Sequence, residues 1–495
     1  MSSQLPTASS KVREQLDHPV IDGDGHWVEP YAIFLDFLKS VADPKVYEPF
    51  SSAYSNGRSL GGEWYDMTPQ ERLDKRAVRY SWWRVPMTTL DMATSMAPQL
   101  MYERLDEIGT DYCITYPSLG LMFLNYPNEE IRRATCRASN EMNAEMFRPF
   151  ADRMTPVAVV PCFTPDEAIE EAEYCVRKLG MKVILTSSYI QRPVEAYARP
   201  DRPMHHSPTY IDSLALDSPY DYDPFWAKCV ELNVPVTVHA ASQGWGHRTS
   251  TSNFCYNHIG HFANANQTLA KALVIGGVTR RFPTLPFAFL EGGVGWACSL
   301  LPDLVEHWEK RNTQALEAHV RPSNVDIDRL TELLTQYGDE RLRSKIDAEH
   351  GAANLAFPFE SQQEATDREY REPTLDDFAA AEVTSADELK KLFTENFYFG
   401  CEAGDVTVPW AFDKHDNHRL KALYSSDVGH FDVPDMREVL AEAWELVDDG
   451  LIDEDNFREF TFENSARLHT QLNPSFFEGT VIEDDVARLL ANEDG

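Results

Sequence analysis

Asp22, Asp24 and His26 stand two residues apart in the run Val20-Ile21-Asp22-Gly23-Asp24-Gly25-His26-Trp27-Val28-Glu29-Pro30. If the run is a strand, alternate side chains share a face, so the three would converge. Gly23 and Gly25 would leave the opposite face bare, where another backbone can approach closely. Two carboxylates and an imidazole on one face offer lone pairs to a hard cation or to zinc. The competing reading is a glycine-rich turn whose aspartates cap loops.

Other short apolar runs end in residues of the same chemistry. VPVTVH ends at His239, PFAFLE at Glu291, FYFGCE at Cys401 and Glu402, and LYSSD at Asp427. Core packing does not account for such endings, because a buried carboxylate needs a partner or a metal. Asp24, His26, His239, Glu291 and Asp427 are therefore the candidate metal ligands. His258 and His261, three apart, would share a face on a helical turn. His261 is a candidate second-metal ligand or catalytic group, and His258 a candidate substrate contact. His430, three residues after Asp427, is a candidate acid/base and is otherwise a loop histidine. His205 and His206, near Arg199 and Arg202, read as surface residues.

These runs need elements that bring their ends together. DYCITYP (111–117), VAVVP (157–161), MKVILT (181–186), VPVTVH (234–239), PFAFLE (286–291), FYFGCE (397–402) and LYSSD (423–427) follow the opening strand, making eight. Helical patterns separate most of them: 128–150, the stretch opened by Thr164-Pro165-Asp166, the one opened by Asp223-Pro224, and 263–281. That alternation predicts a parallel sheet, and eight units predict an α/β fold, a distorted (β/α)₈ barrel over residues 1–495. In such a barrel, sites collect at the carboxyl ends of the strands. Residues 31–105 read as a long, mostly loop-like lid with helical pieces, carrying Trp64, Tyr65, Tyr80, Trp82 and Trp83 beside Arg79 and Arg84. Trp82 and Trp83, with Glu402, are candidate substrate contacts; the alternative is that these aromatics cover the domain's own core. Residues 305–395 read as a helical insertion between the sixth and seventh strands, with helices near 324–337 and 384–393.

Composition sets the outer bounds. The chain has 495 residues, of which 43% are hydrophobic and 11% aromatic, enough to fill a sizeable core. A net charge of −35 argues against nucleic acid and against anionic membrane surfaces as partners. The eight cysteines form no C-x-x-C pair and read as free thiols of a reducing compartment. The first residues lack an apolar core, so the expectation is a soluble cytoplasmic protein, a homodimer, acting on a small molecule.

Taken together, the sequence resembles the amidohydrolase superfamily, in the branch of the aminocarboxymuconate-semialdehyde decarboxylases. The carriers are Ile21-Asp22-Gly23-Asp24-Gly25-His26 with Glu29-Pro30, Val236-Thr237-Val238-His239, and Gly276-Gly277-Val278 with Arg281-Phe282-Pro283. Phe289-Leu290-Glu291-Gly292-Gly293, Tyr424-Ser425-Ser426-Asp427 and Glu463-Asn464-Ser465-Ala466-Arg467-Leu468 complete them. The resemblance implies a metal-dependent barrel with ligands at Asp24, His26, His239 and Asp427, the last also a general base. Asp24 and Glu291 stand where histidines are common in that family, and Thr186 ends the fourth strand, where no lysine is present to bridge two metals. A divalent zinc, iron or manganese is expected, one per chain or two if Glu291 bridges. The leading functional expectation is hydrolysis of an ester, amide or thioester by metal-activated water, with Asp427 as base. The alternative is non-oxidative decarboxylation of an aromatic or unsaturated acid. The absence of an arginine beside the ligand motifs leans toward hydrolysis.

Overall fold

The structure, a computed structural model, describes residues 6–55, 62–79, 88–197, 208–240, 249–369, 376–412 and 419–493. Eleven strands are described: β1 (Ile21–Trp27), β2 (Tyr112–Pro117), β3 (Met154–Pro156), β4 (Ala158–Val159), β5 (Ile184–Ser187), β6 (Ile190–Pro193), β7 (Thr209–Asp212), β8 (Val236–His239), β9 (Phe287–Phe289), β10 (Phe397–Cys401) and β11 (Lys421–Tyr424). β1, β2 and β3 pair in parallel. β4, β5, β8, β9, β10 and β11 form a second parallel run in that order.

Two seams join the runs into one barrel. At Val157 the backbone changes sides: its amide donates to Thr115 on the β2 side, and the next amide, of Ala158, donates to Val183 before β5. At the other seam, the amide of His26 donates to the carbonyl of Val428 at 2.6 Å, and that of Asp427 to Asp24 at 3.1 Å. With β3 and β4 counted as one interrupted strand, eight parallel strands close on themselves. This is the expected (β/α)₈ barrel. β6 and β7 form a small antiparallel pair outside it.

The strands are shorter than their apolar runs because several runs continue past the ladder into the turns where the site residues sit. Val157–Pro161 shows the largest shift: Met154–Pro156 already belongs to that strand, and the ladder breaks at Val157. Around the barrel, Thr164 caps the helix Pro165–Tyr174 and Asn128 caps Glu129–Phe147, each side-chain oxygen accepting from a backbone amide three residues on. β1 is buried along its whole length.

The described residues between 31 and 105 are largely helical rather than loop-like. Helices span Tyr31–Val41, Pro44–Ser55, Gly62–Asp66, Pro69–Asp74, Thr89–Met96 and Pro98–Ile108. The first buries Phe34 and Leu38, one turn apart. Thr68 and Glu71 form a reciprocal capping box on the six-residue helix Pro69–Asp74, which shows little apolar periodicity. This region lies against the segment after β8: Trp64 Nε1 donates to Thr251, the Arg79 amide to Ser250, and Asn257 Nδ2 to the Arg79 carbonyl. The guanidinium carbons of Arg72 and Arg79 sit 3.5 and 4.2 Å from the Trp64 ring centre.

The stretch expected as an insertion begins inside the helix Gly295–Arg311. Ile327, Leu330, Leu333 and Leu334 of the helix Ile327–Tyr337 are only half-buried, and Phe359 is 97% exposed. The helix Ala386–Asn396, by contrast, buries Leu389, Leu392 and Phe393 against the barrel. Among the described residues no helix is long and apolar enough to cross a membrane. All eight cysteines are free thiols.

Candidate metal centre and active site

Asp24 and His26 leave β1 toward the barrel mouth, with Asp24 Oδ1 3.3 Å from His26 Nε2. Asp427 Oδ1 lies 3.6 Å from that same nitrogen. From β8, His239 Nε2 reaches Glu291 Oε1 at 3.2 Å. His430 Nδ1 lies 2.7 Å from Asp427 Oδ1 and 3.7 Å from Glu291 Oε1. Its ring stacks on His26 at 3.8 Å between centres. Donor atoms of Asp24, His26 and His239 lie within 4.8 Å of one another, as do those of His26, Glu291, Asp427 and His430.

Asp22 does not join them. The β1–β2 register shifts between Asp22 and Gly25, so strict alternation fails there. Asp22 turns instead to the far side of the seam, accepting from the Ser426 amide at 3.0 Å and the Ser426 hydroxyl at 2.5 Å. Gly25 is the close approach expected of it, though to a side chain: a Cβ there would sit 2.5 Å from Cys113 Sγ.

The two carboxylates at the ends of β9 and β11 share an unusual backbone. Glu291 has φ +56° and Asp427 φ +57°, the left-handed region, which costs a residue with a side chain about 1–3 kcal/mol. Such conformations persist where the surroundings impose them, and here they turn both carboxylates back over the barrel mouth.

Burial dominates the site's acid–base behaviour. It raises Asp24 well above the usual carboxylate range, helped by Glu291 and Asp427. It raises Asp427 to about 6 against the pull of His430. It lowers His26 well below the usual imidazole value, with His430 and His239 adding to the effect. Burial also opposes charge on His430, but Asp427 and Glu291 prevail and hold that imidazole well above its usual value. Burial thus favours the neutral, lone-pair form of His26, and the two carboxylates favour the protonated form of His430.

Both oxygens of Asp24, both ring nitrogens of His26 and His239, and one oxygen of Glu291 are buried without a hydrogen-bond partner, and Asp427 Oδ1 has only the ion pair with His430 beside it. Groups of this kind are costly to bury unpaired, and they share one focus. The donor set therefore fits a divalent metal, with Asp24, His26, His239 and Asp427 able to hold it. Carboxylates and imidazoles together suit zinc, manganese or iron alike.

The remaining candidates are more dispersed. His261 is buried and pushed down to about 4 by burial, and it feels the charge of Glu291. It does not share a helical face with His258, because the helix of His258 closes at Ile259 and Gly260, at φ +72°, opens the next. His258 stacks on Phe254 and lies near Phe262 and Phe431. Glu402 follows β10 and is reached by solvent, yet its surroundings, then Asp427 and Glu291, push its carboxyl up to about 8. Cys401 is buried, with its thiol toward the Phe399 carbonyl. Trp82 and Trp83, with Tyr80, Arg84, His205 and His206, lie outside the described residues. A cavity of about 390 Å³ lies elsewhere, among Val41, Asp43, Lys45 and Arg137 on the outer helices, and its charges are paired with one another.

Two groups escaped the sequence reading. Ser118 Oγ, at the start of the helix Ser118–Phe123, lies 2.8 Å from His430 Nε2. Glu29, noted only within a motif, accepts from the amides of Leu119 and Gly120 at 2.7 and 3.0 Å, and burial raises its carboxyl to about 7. A serine after a strand reads as an ordinary helix start, and nothing in sequence links residue 118 to 430.

The family model described as Amidohydrolase matches residues 120–342. The resemblance to the amidohydrolase superfamily holds, and with it the reading of the chain as an enzyme of that kind. Among curated proteins, this amidohydrolase-like chain is similar to gamma-resorcylate decarboxylase of Rhodococcus jostii (strain RHA1), 26% identical over 285 residues covering 53% of this chain and 75% of that protein. The gamma-resorcylate decarboxylase of Rhizobium sp. (strain MTP-10005) is 25% identical over 272 residues, 51% of this chain and 72% of that one. A solved dihydroxybenzoic acid decarboxylase from Polaromonas sp. JS666, with bound manganese and the inhibitor 2-nitroresorcinol, is 14% identical, covering 92% of this chain and 97% of that one at TM-score 0.49.

The relatives overturn the hydrolytic expectation: the two curated proteins named above are decarboxylases. The error has a physical root. The same metal-binding strand ends serve attack on a carbonyl and cleavage of a carbon–carbon bond, so ligand motifs alone do not separate the two. The missing arginine was also a poor guide, since among the described residues His430 is held toward its protonated form by Asp427 and Glu291.

Proposed function

We propose that the protein is a metal-dependent, non-oxidative decarboxylase of a hydroxylated aromatic acid. The observation that carries this reading is the 26% identity to a gamma-resorcylate decarboxylase over 75% of that protein's length. The site chemistry supports it, because a cationic imidazole and a carboxyl near 6 stand next to the metal-type donors. Asp24, His26, His239 and Asp427 would hold a divalent cation, which would supply electron withdrawal from the bound acid.

The chain's own groups do the rest. The proton comes from His430, whose Nδ1 lies 2.7 Å from Asp427, and the Asp427 carboxylate relays it. That proton goes to the ring carbon bearing the carboxylate, forming a C–H bond. The bond from that carbon to the carboxylate then breaks, its electron pair returns to the ring, and carbon dioxide leaves. Tyr116 and Phe262, 6.4 and 6.0 Å from His239 between ring centres, wall that side against water. In this reading His258 with Phe254 and Phe431 lies along the substrate ring, Glu402 accepts a ring hydroxyl, and His261 supports Glu291. The substrate is a small molecule, and Trp82 and Trp83 stay candidates for its outer face.

The test is turnover of gamma-resorcylate and related hydroxybenzoates in deuterium oxide by the metal-loaded enzyme. Carbon dioxide should appear with one deuterium at the vacated ring carbon. Asp427→Asn should slow release by on the order of 10²–10⁴-fold while the protein stays folded. No carbon dioxide from any member of the panel would sink the reading.

A further inference from the structure

Ser118, His430 and Asp427 are wired as a serine hydroxyl, an imidazole and a carboxylate in series, at 2.8 and 2.7 Å. That geometry invites the reading of Ser118 as a nucleophile. The backbone argues otherwise. Attack by Ser118 on a carbonyl would need donors for the resulting oxyanion, and the amides at hand are those of Leu119 and Gly120. Both are already given to Glu29, at 2.7 and 3.0 Å. Glu29 is 2% exposed, and its oxygen also lies 3.5 Å from the Ser139 hydroxyl. The first turn of the helix Ser118–Phe123 is thus clamped from beneath, which fixes where the Ser118 side chain begins.

We propose that Ser118 is a positioning residue: it holds the His430 ring so that Nδ1 stays on Asp427. His430 follows Gly429 in a turn, with 16% of its side chain exposed. Its Nδ1 has Asp427 at 2.7 Å and Glu291 at 3.7 Å to choose between. Stacking on His26 fixes the ring plane but leaves rotation within it free. The hydrogen bond at Nε2, added to the ion pair at Nδ1, removes that rotation. Ser118 supplies it, and Glu29 anchors Ser118.

The turnover arm of the test rests on the decarboxylase reading; the spectroscopic arm does not. In zinc-loaded, ¹⁵N-histidine-labelled protein, the His430 nitrogens are assigned by their absence in His430→Gln. Ser118→Ala should shift the Nε2 resonance and leave the other histidines in place, while Ser118→Thr should restore it. With gamma-resorcylate as substrate, Ser118→Ala should lower kcat roughly ten- to hundred-fold at nearly constant KM, with recovery in Ser118→Thr. An unmoved Nε2 resonance, or an unchanged kcat in Ser118→Ala, overturns the proposal. A fluorophosphonate adduct on Ser118 of the wild-type holoenzyme overturns it in favour of a nucleophile. If wild type releases no carbon dioxide, the decarboxylase reading has failed, and the resonance alone decides the role of Ser118.

Discussion

The amide of Asp427 donates to the carbonyl of Asp24 at 3.1 Å. One backbone bond thus joins the first strand to the turn after the last and sets two carboxylates side by side at the barrel mouth. Burial first, then Glu291, and then this proximity raise the Asp24 carboxyl well above its ordinary range. A cation relieves that repulsion, so the closure of the barrel and the affinity for metal are tied together.

Metal content tests the donor set directly. His239→Ala should lower occupancy at limiting metal by well over about tenfold, since even an indirect partner of a ligand is worth 10–100-fold. Glu291→Gln separates two roles: fewer metals per chain if the carboxylate bridges, unchanged content with weaker substrate binding if it only supports His239. Elemental analysis of protein purified without added metal reads both. Full occupancy in His239→Ala would remove His239 from the ligands.

Gly429 makes the seam possible. Its φ is +103°, and a Cβ there would lie 2.0 Å from the His26 carbonyl oxygen. Gly429→Ala should therefore lose at least about 1–3 kcal/mol of stability and bind metal more weakly, because the same turn carries Asp427 and His430. Urea unfolding and metal titration report the two effects. A variant as stable as wild type would mean that the turn is not held against His26.

His469 predicts an acid dependence away from the site. It is buried, stacks on Phe476 at 4.6 Å, and neither ring nitrogen has a hydrogen-bond partner among the described residues. Burial lowers it to about 3 from an ordinary 6.5. Between those values the unfolded chain binds the proton and the folded chain does not. The stability it allows is therefore complete above pH 6.5 and falls as pH drops toward 3, by about 1.4 kcal/mol per pH unit. His469→Leu should remove that slope, so from pH 6.5 to 5 wild type should lose about 2 kcal/mol more than the variant in urea unfolding. Parallel losses in the two proteins would show that His469 takes its proton while folded.

Eight apolar runs, most ending in ligand-type residues, made the barrel legible, since a parallel sheet buried on both faces needs such runs and its turns carry the chemistry. Asp24, His26, His239, Glu291, Asp427 and His430 were named from those ends, and the structure brings them together. Asp22 was misread because period-two alternation assumes a regular ladder, and the register shifts between Asp22 and Gly25. The stretch 31–105 looked loop-like because several of its helices are short, such as the six-residue helix capped by Thr68 with Glu71, and show no long apolar stripe. Ser118 and Glu29 were illegible as partners of the site, because their roles exist only once residues far apart in the chain meet.

That distance also bears on synthesis. The bond from the Ser426 amide to Asp22 spans 404 residues. At about 5–20 residues per second, β1 waits on the order of 20–80 s for its last partner to leave the ribosome. Throughout that time its outer edge offers unpaired amides and carbonyls to any passing strand. A chain truncated before residue 425 would therefore be inactive and would also keep an open, sticky edge. Yield in the cell should accordingly depend on how well the nascent chain is shielded, more than on the stability of the finished barrel.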